Sequence, residues 1–127
     1  MKGVTYDTGA LLAAERNDRR MWALHAGFLA EEVAPTVPAP VLAQAWRGGA
    51  KQASLSRLMA LCGVEPMNEA QARAVGRLAS LSRHEDVVDL AVMEGALRRR
   101  DAIVTSDPRD IRRIAAALGE HVRLESV

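Results

Sequence analysis

Asp86 and Asp89 stand three apart in "HEDVVDLAV", with Val87, Val88, Leu90, Ala91 and Val92 around them. Residues three apart share a helix face. An ionised carboxylate beside packed apolar groups is costly unless it is paired, hydrogen-bonded or bound to a cation. Two more aspartates pose the same question. Asp7 ends the β-like run "GVTY", and Asp107 comes just after "AIVT". Three or four such carboxylates brought together suit a hard divalent cation, Mg²⁺ or Mn²⁺. Ions of this kind activate water and offset charge on a phosphodiester in an in-line displacement. Magnesium keeps several waters, so Asp7, Asp89 and Asp107 would supply a sufficient shell, with Asp86 capping its helix or extending the site.

Each acid also has a plainer role open to it. Asp107 before Pro108 can be a helix N-cap, and Asp86 can cap the helix that follows it. Asp110 can complement a helix dipole from the first turn. Asp7 and Asp89 are harder to explain this way, since one follows a strand that must be buried and the other lies inside an apolar helix. Other chemistry is poorly supported. His25, His84 and His121 lack metal-ligand spacing. Cys62, the one cysteine, reads as packing, and Ser106 has no evident histidine partner. There is no P-loop and no dinucleotide fingerprint. A phosphoacceptor receiver domain would want a lysine at the same edge, but Lys2 and Lys51 are the only lysines and neither ends a late strand.

The acids converge only if the elements around them place them together. "GVTY" predicts a first strand, followed by a helix through "GALLAAER" that Thr8 can cap. Asp18 can cap a second helix carrying Met21, Leu24, His25, Phe28 and Leu29. "PTVPA" is a brief extended segment, and Pro40 opens a helix with Val41, Leu42, Ala45 and Trp46. "GGA" breaks that helix, and another follows around Leu55, Leu58 and Met59. "GVEPM" is a further strand, and Asn68 with Gln71 reads as a capping box. The "DVVD" helix ends in three arginines, which suit a C-terminus. "AIVT" is the clearest strand, with a helix from Asp107 to a closing Gly119 and an edge-like strand in "HVRLESV".

Strands separated by helices require crossovers, so the pattern predicts an α/β fold. The expected form is a three-layer α/β/α sandwich with a mainly parallel sheet of about four to five strands. Parallel sheets place ligand sites at the carboxyl ends of their strands. If the first strand and "AIVT" are parallel neighbours, Asp7 and Asp107 emerge at one edge.

The 127 residues suit one domain, residues 1–127, and 49% apolar content supports a real core. No apolar run approaches a membrane span, and "MKGVTYD" has no signal-peptide core, so no membrane role is expected. A lone cysteine permits no internal disulfide, which fits a reducing cytoplasm. The net charge of +1 does not by itself suggest nucleic acid, although only two of the 17 basic residues are not arginine. Arginine recognises phosphate through a bidentate fork, but Arg and Ala enrichment also follows from a GC-rich genome. Aromatic residues are only Tyr6, Trp22, Phe28 and Trp46, too few for a base-stacking platform.

The blocks "VTYDTGALLAAERND", "VPAPVLAQAWRGG", "DVVDLAVMEGALRR" and "IVTSDPRDIRRIA" resemble, in order and spacing, a PIN-domain protein. The likeness is strongest to compact VapC-type toxins of toxin–antitoxin pairs, and it covers nearly the whole chain. It implies a Mg²⁺- or Mn²⁺-dependent endoribonuclease with Asp7 as first acid, Asp89 as central acid and Asp107 as late acid. Thr105 would offer a hydroxyl, and Asp86 and Asp110 would be secondary members. It also implies a homodimer held inactive by a cognate antitoxin. Trp46, Arg47 and the first two helices are candidates for the groove that an antitoxin helix would fill. One position departs from the family: Gln44 stands where an acid is common, and an amide brings no negative charge. Glu15 could compensate or could be a surface residue. Two readings follow, a metal-dependent ribonuclease toxin and a catalytically weak PIN-like module that binds RNA or protein.

Overall fold

The computed structural model describes residues 3–127. Five strands form one sheet: β1 (Val4–Tyr6), β2 (Thr36–Pro38), β3 (Gly63–Glu65), β4 (Ala102–Thr105) and β5 (Leu124–Ser126). Seven helices connect them: α1 (Thr8–Glu15), α2 (Arg19–Ala30), α3 (Ala39–Ala45), α4 (Ala53–Met59), α5 (Glu69–Ser82), α6 (Val87–Arg99) and α7 (Pro108–Ala117). A 3₁₀ turn at Ala50–Gln52 precedes α4. The strand order is β3-β2-β1-β4-β5, and every pairing is parallel. The fold is therefore α/β with an all-parallel sheet. Of the two lysines, Lys51 lies in the 3₁₀ turn, and Lys2 falls outside the described residues.

Burial follows from this order. Central β1 and β4 are buried throughout, while edge strands β3 and β5 are partly exposed. Strands covered on both faces read as continuous apolar runs, which is why "AIVT" stands out in the sequence. Right-handed crossovers that reverse direction put their helices on opposite faces. Helix α1 packs on α2, α3 and α4, while α6 packs on β1, β2 and β4 with α5 and α7 beside it. The core between these layers includes Leu11, Leu55, Leu90, Met93, Ile103 and Ile114, all at most 1% exposed. Tyr6 is also fully buried, and its hydroxyl shares a hydrogen bond of 2.9 Å with His25 Nδ1. Burial pushes the phenol up and the imidazole down, so both stay neutral.

Two details differ from the sequence reading. Asp7, not Thr8, caps α1, accepting from the Ala10 N–H at 2.9 Å. Asn68 does cap α5, but the Gln71 side chain donates to Glu65 at 3.2 Å, so only half of the expected capping box forms. Glu65 also takes Arg98 and Arg99, each at 2.7 Å, and these contacts hold its carboxyl below the usual range.

Candidate active site

The connections reverse at β1. The chain runs from β1 outward to β2 and β3, then crosses to β4 on the other side of β1. Such a switch point opens a crevice at the carboxyl ends of the two strands. Asp7 follows β1 directly, and its N–H donates to Val104 O at 3.1 Å. The residue is 8% exposed, and burial pushes its carboxyl from 3.8 up to about 6. The Thr105 hydroxyl and the N–H groups of Ala10 and Gly9 favour the charged form, while the charge of Asp89 opposes it. The charge of Asp89 is thus felt at Asp7.

Asp89 comes from the first turn of α6. Burial raises its pKa, and the charges of Asp86 and Asp110 add to that effect. A bond from His84 Nε2 to Asp89 Oδ2, 3.0 Å long, works the other way. Asp86 caps α6, and its Oδ1 accepts from the N–H groups of Val88 at 2.9 Å and Asp89 at 3.1 Å.

The β4 end supplies Thr105, fully buried, whose Oγ1 accepts from the Asp107 N–H at 2.9 Å. Asp107 is exposed and caps α7, reaching the Asp110 N–H at 3.4 Å. Asp110 pairs with Arg113 at 3.0 Å. On the other rim, the Thr8 hydroxyl donates to Gln44 Oε1 at 2.6 Å. Gln44 is therefore linked to the residue next to Asp7. Glu15 instead accepts from Gln52 Nε2 at 2.5 Å, at the far end of α1, and so does not replace the missing acid.

Among the described residues, no three of His, Cys, Asp and Glu are grouped so as to hold a metal ion. The expected shell of Asp7, Asp89 and Asp107 with Asp86 is therefore not assembled as one cluster. Asp86 and Asp107, like Asp7, each turn one oxygen to the first N–H groups of the helix they cap. Asp7 and Asp89 remain as two partly desolvated hard oxygen donors, with the charge of Asp89 felt at Asp7. That pair fits a strongly hydrated cation, which needs only one or two carboxylates.

Two residues went unassigned in the sequence reading. His84 touches Asp89 by folding back across the cap residue, a contact with no helical periodicity. Gly9 lies against the β4–α7 loop, where an added Cβ would stand 2.8 Å from Ser106 Cβ and 3.1 Å from its backbone N. Gly9→Ala must displace that loop, and overpacking of this kind costs about 1–3 kcal/mol. Thermal denaturation should show a lower Tm; an unchanged Tm would mean that the loop yields freely.

Trp46 is 42% exposed. With Ala39, Leu42, Ala43, Met59 and Val64 it lines an apolar groove of about 530 Å³. This groove is built from α3, α4 and β3; of the other sequence candidates, α2 lines a second groove of about 560 Å³ with Arg19, Arg20, Ala23, Leu24, Gly27 and Phe28. Arg47 is turned to the carbonyls of Ala43 and Trp46, at 3.3 and 2.7 Å.

No protein-family model matches the chain, and no curated protein matches it in sequence. Solved structures do match in fold. One is a chain in the crystal structure of VapBC2 from Rickettsia felis bound to a DNA fragment from the promoter. It has a TM-score of 0.72 and 15% identity, with 98% of each chain covered. Another is a chain of FitAB bound to an IR36 DNA fragment, with a TM-score of 0.68 and 15% identity over 97% of this chain and 94% of that one. At this identity the likeness is one of fold, and it is the fold that the PIN-domain resemblance implied.

Proposed function

We propose that this chain is a metal-dependent endoribonuclease of the toxin–antitoxin kind, acting in the cytoplasm as a homodimer and restrained by a cognate antitoxin. The observation that carries the reading is the buried Asp7 at the β1–β4 switch point, raised by burial and coupled to Asp89. The fold shared with chains of VapBC2 and FitAB supports the toxin–antitoxin setting. Asp7 and Asp89 would hold Mg²⁺ or Mn²⁺, whose chemistry is to activate water and offset charge on the phosphodiester. The Thr105 hydroxyl favours the charged form of Asp7 against the larger effect of burial, and Asp110 adds negative potential at Asp89. Asp107 and Asp86 act through the helix starts that they cap.

No helix among the described residues is long and apolar enough to cross a membrane. Single-stranded RNA incubated with the protein and Mg²⁺ or Mn²⁺ should be cut, and EDTA should stop the reaction. Asp89→Asn should slow cutting by about two orders of magnitude or more, several kcal/mol of barrier. Equal cutting by Asp89→Asn and the parent would overturn the assignment.

A second reading is favoured by a specific observation. Gln44 is an amide already engaged by Thr8, and no group of three ligands is present among the described residues. A module that binds RNA or a partner protein without turnover would need no more than this. It predicts RNA binding that survives EDTA, with no cleavage products in either metal.

A further inference from the structure

The α5–α6 connection does more than join two helices. Arg83 ends α5 in the left-handed conformation, at φ +57°, with its N–H on Ala79 O. Ser82 Oγ donates to Leu78 O at 2.7 Å and accepts from the His84 N–H at 3.3 Å. Asp86 then fixes the start of α6 through two backbone N–H groups. His84 is thus held between two capped helix ends, and its side chain is only 18% exposed. From there its Nε2 reaches Asp89 Oδ2. A carboxylate can only accept, so Nε2 carries the proton in this contact. Among the described residues, no other side chain bonds the Asp89 carboxylate.

We propose that His84 is a positioning residue for the site: it fixes one oxygen of Asp89 and thereby orients the other to take a divalent cation. This rests on the reading of Asp89 as a cation ligand. Carboxylate and imidazole ligands are commonly oriented by such outer partners, whose loss costs roughly 10–100-fold in metal affinity. The contact also offsets the repulsion that Asp86 and Asp110 exert on Asp89. The opposite role, a histidine that blocks Asp89 until a cation displaces it, predicts the reverse change in affinity.

Calorimetric titration of the full chain with Mn²⁺ alone separates these outcomes. His84→Ala should weaken Mn²⁺ binding about tenfold or more. His84→Gln, whose amide can still donate, should restore part of the loss while far-UV circular dichroism stays native for both. Unchanged or tighter Mn²⁺ binding by His84→Ala overturns the proposal. Asp89→Asn is titrated in parallel. If Asp89→Asn loses Mn²⁺ and His84→Ala does not, the positioning role alone is wrong. If Asp89→Asn binds Mn²⁺ as the parent does, the cation reading fails and the proposal with it.

Discussion

Asp7→Asn is expected to abolish RNA cleavage and, in the same metal-free protein, to raise the melting temperature by roughly 5–10 °C. The two effects have one cause. Asp7 is pushed from 3.8 to about 6 by burial, so its charged form is disfavoured in the fold. The folded state therefore binds a proton between these values that the unfolded chain has released. Stability from this group is fully present below about pH 4 and is lost as pH rises through about 6. At neutral pH the displacement corresponds to about 3 kcal/mol of folded-state cost. Asparagine caps a helix as well as aspartate does and keeps an oxygen for the Ala10 N–H, so most of that amount should be recovered. The variant should also flatten the stability curve between pH 4 and 6. A Tm that fails to rise, or a pH profile unchanged from the parent, would show that Asp7 is not held against its charge. Retained cleavage would remove it from the chemistry.

The largest loss of stability is expected from Asp101→Ala. Asp101 lies just before β4 and is 8% exposed. It is satisfied by two partners: the Thr5 hydroxyl donates to Oδ2 at 2.7 Å, and Arg99 Nε donates at 2.9 Å. Arg99 also reaches Thr5 Oγ1 at 2.9 Å and Glu65 at 2.7 Å. This network ties the end of α6 to strands β1 and β3 and meets the backbone at Gly3, where an added Cβ would stand 2.6 Å from Asp101 Oδ1. Removing one member of a buried pair leaves the others uncompensated, at about 3–5 kcal/mol. Glu65 keeps hold of Arg99, so the lower end of that range is expected, roughly 10 °C in Tm. Asp101→Asn retains an accepting oxygen and should lose about half as much. The test is thermal and urea denaturation of both variants. A loss below about 1 kcal/mol for Asp101→Ala would show that the network contributes little.

Local sequence determined a good deal of this protein. The β-branched run at 102–105 became a buried central strand, because parallel strands covered on both faces need apolar side chains at every position. Asp18, Asn68, Asp86 and Asp107 all cap helices, since the first N–H groups of a helix have no partner within it. The alternation of strands and helices implied crossovers and a parallel sheet, and Gly119 adopts the φ of +68° that closing α7 requires. These features depend on neighbours in the chain. The tertiary structure alone decided which acids meet. Spacing allowed Asp107 and Asp86 to be ligands or caps, and their side chains turned to backbone N–H groups only residues away. The coupling of Asp7 to Asp89 requires β1 and α6 to pack, across 82 positions of sequence. The Thr5–Asp101 bond spans 96 positions, and the Thr8–Gln44 bond spans 36. His84 meets Asp89 just after Arg83 takes a left-handed turn that no hydrophobic period signals. Long-range partners follow from which surfaces pack, and the pattern of a chain specifies that a face is apolar without specifying what covers it.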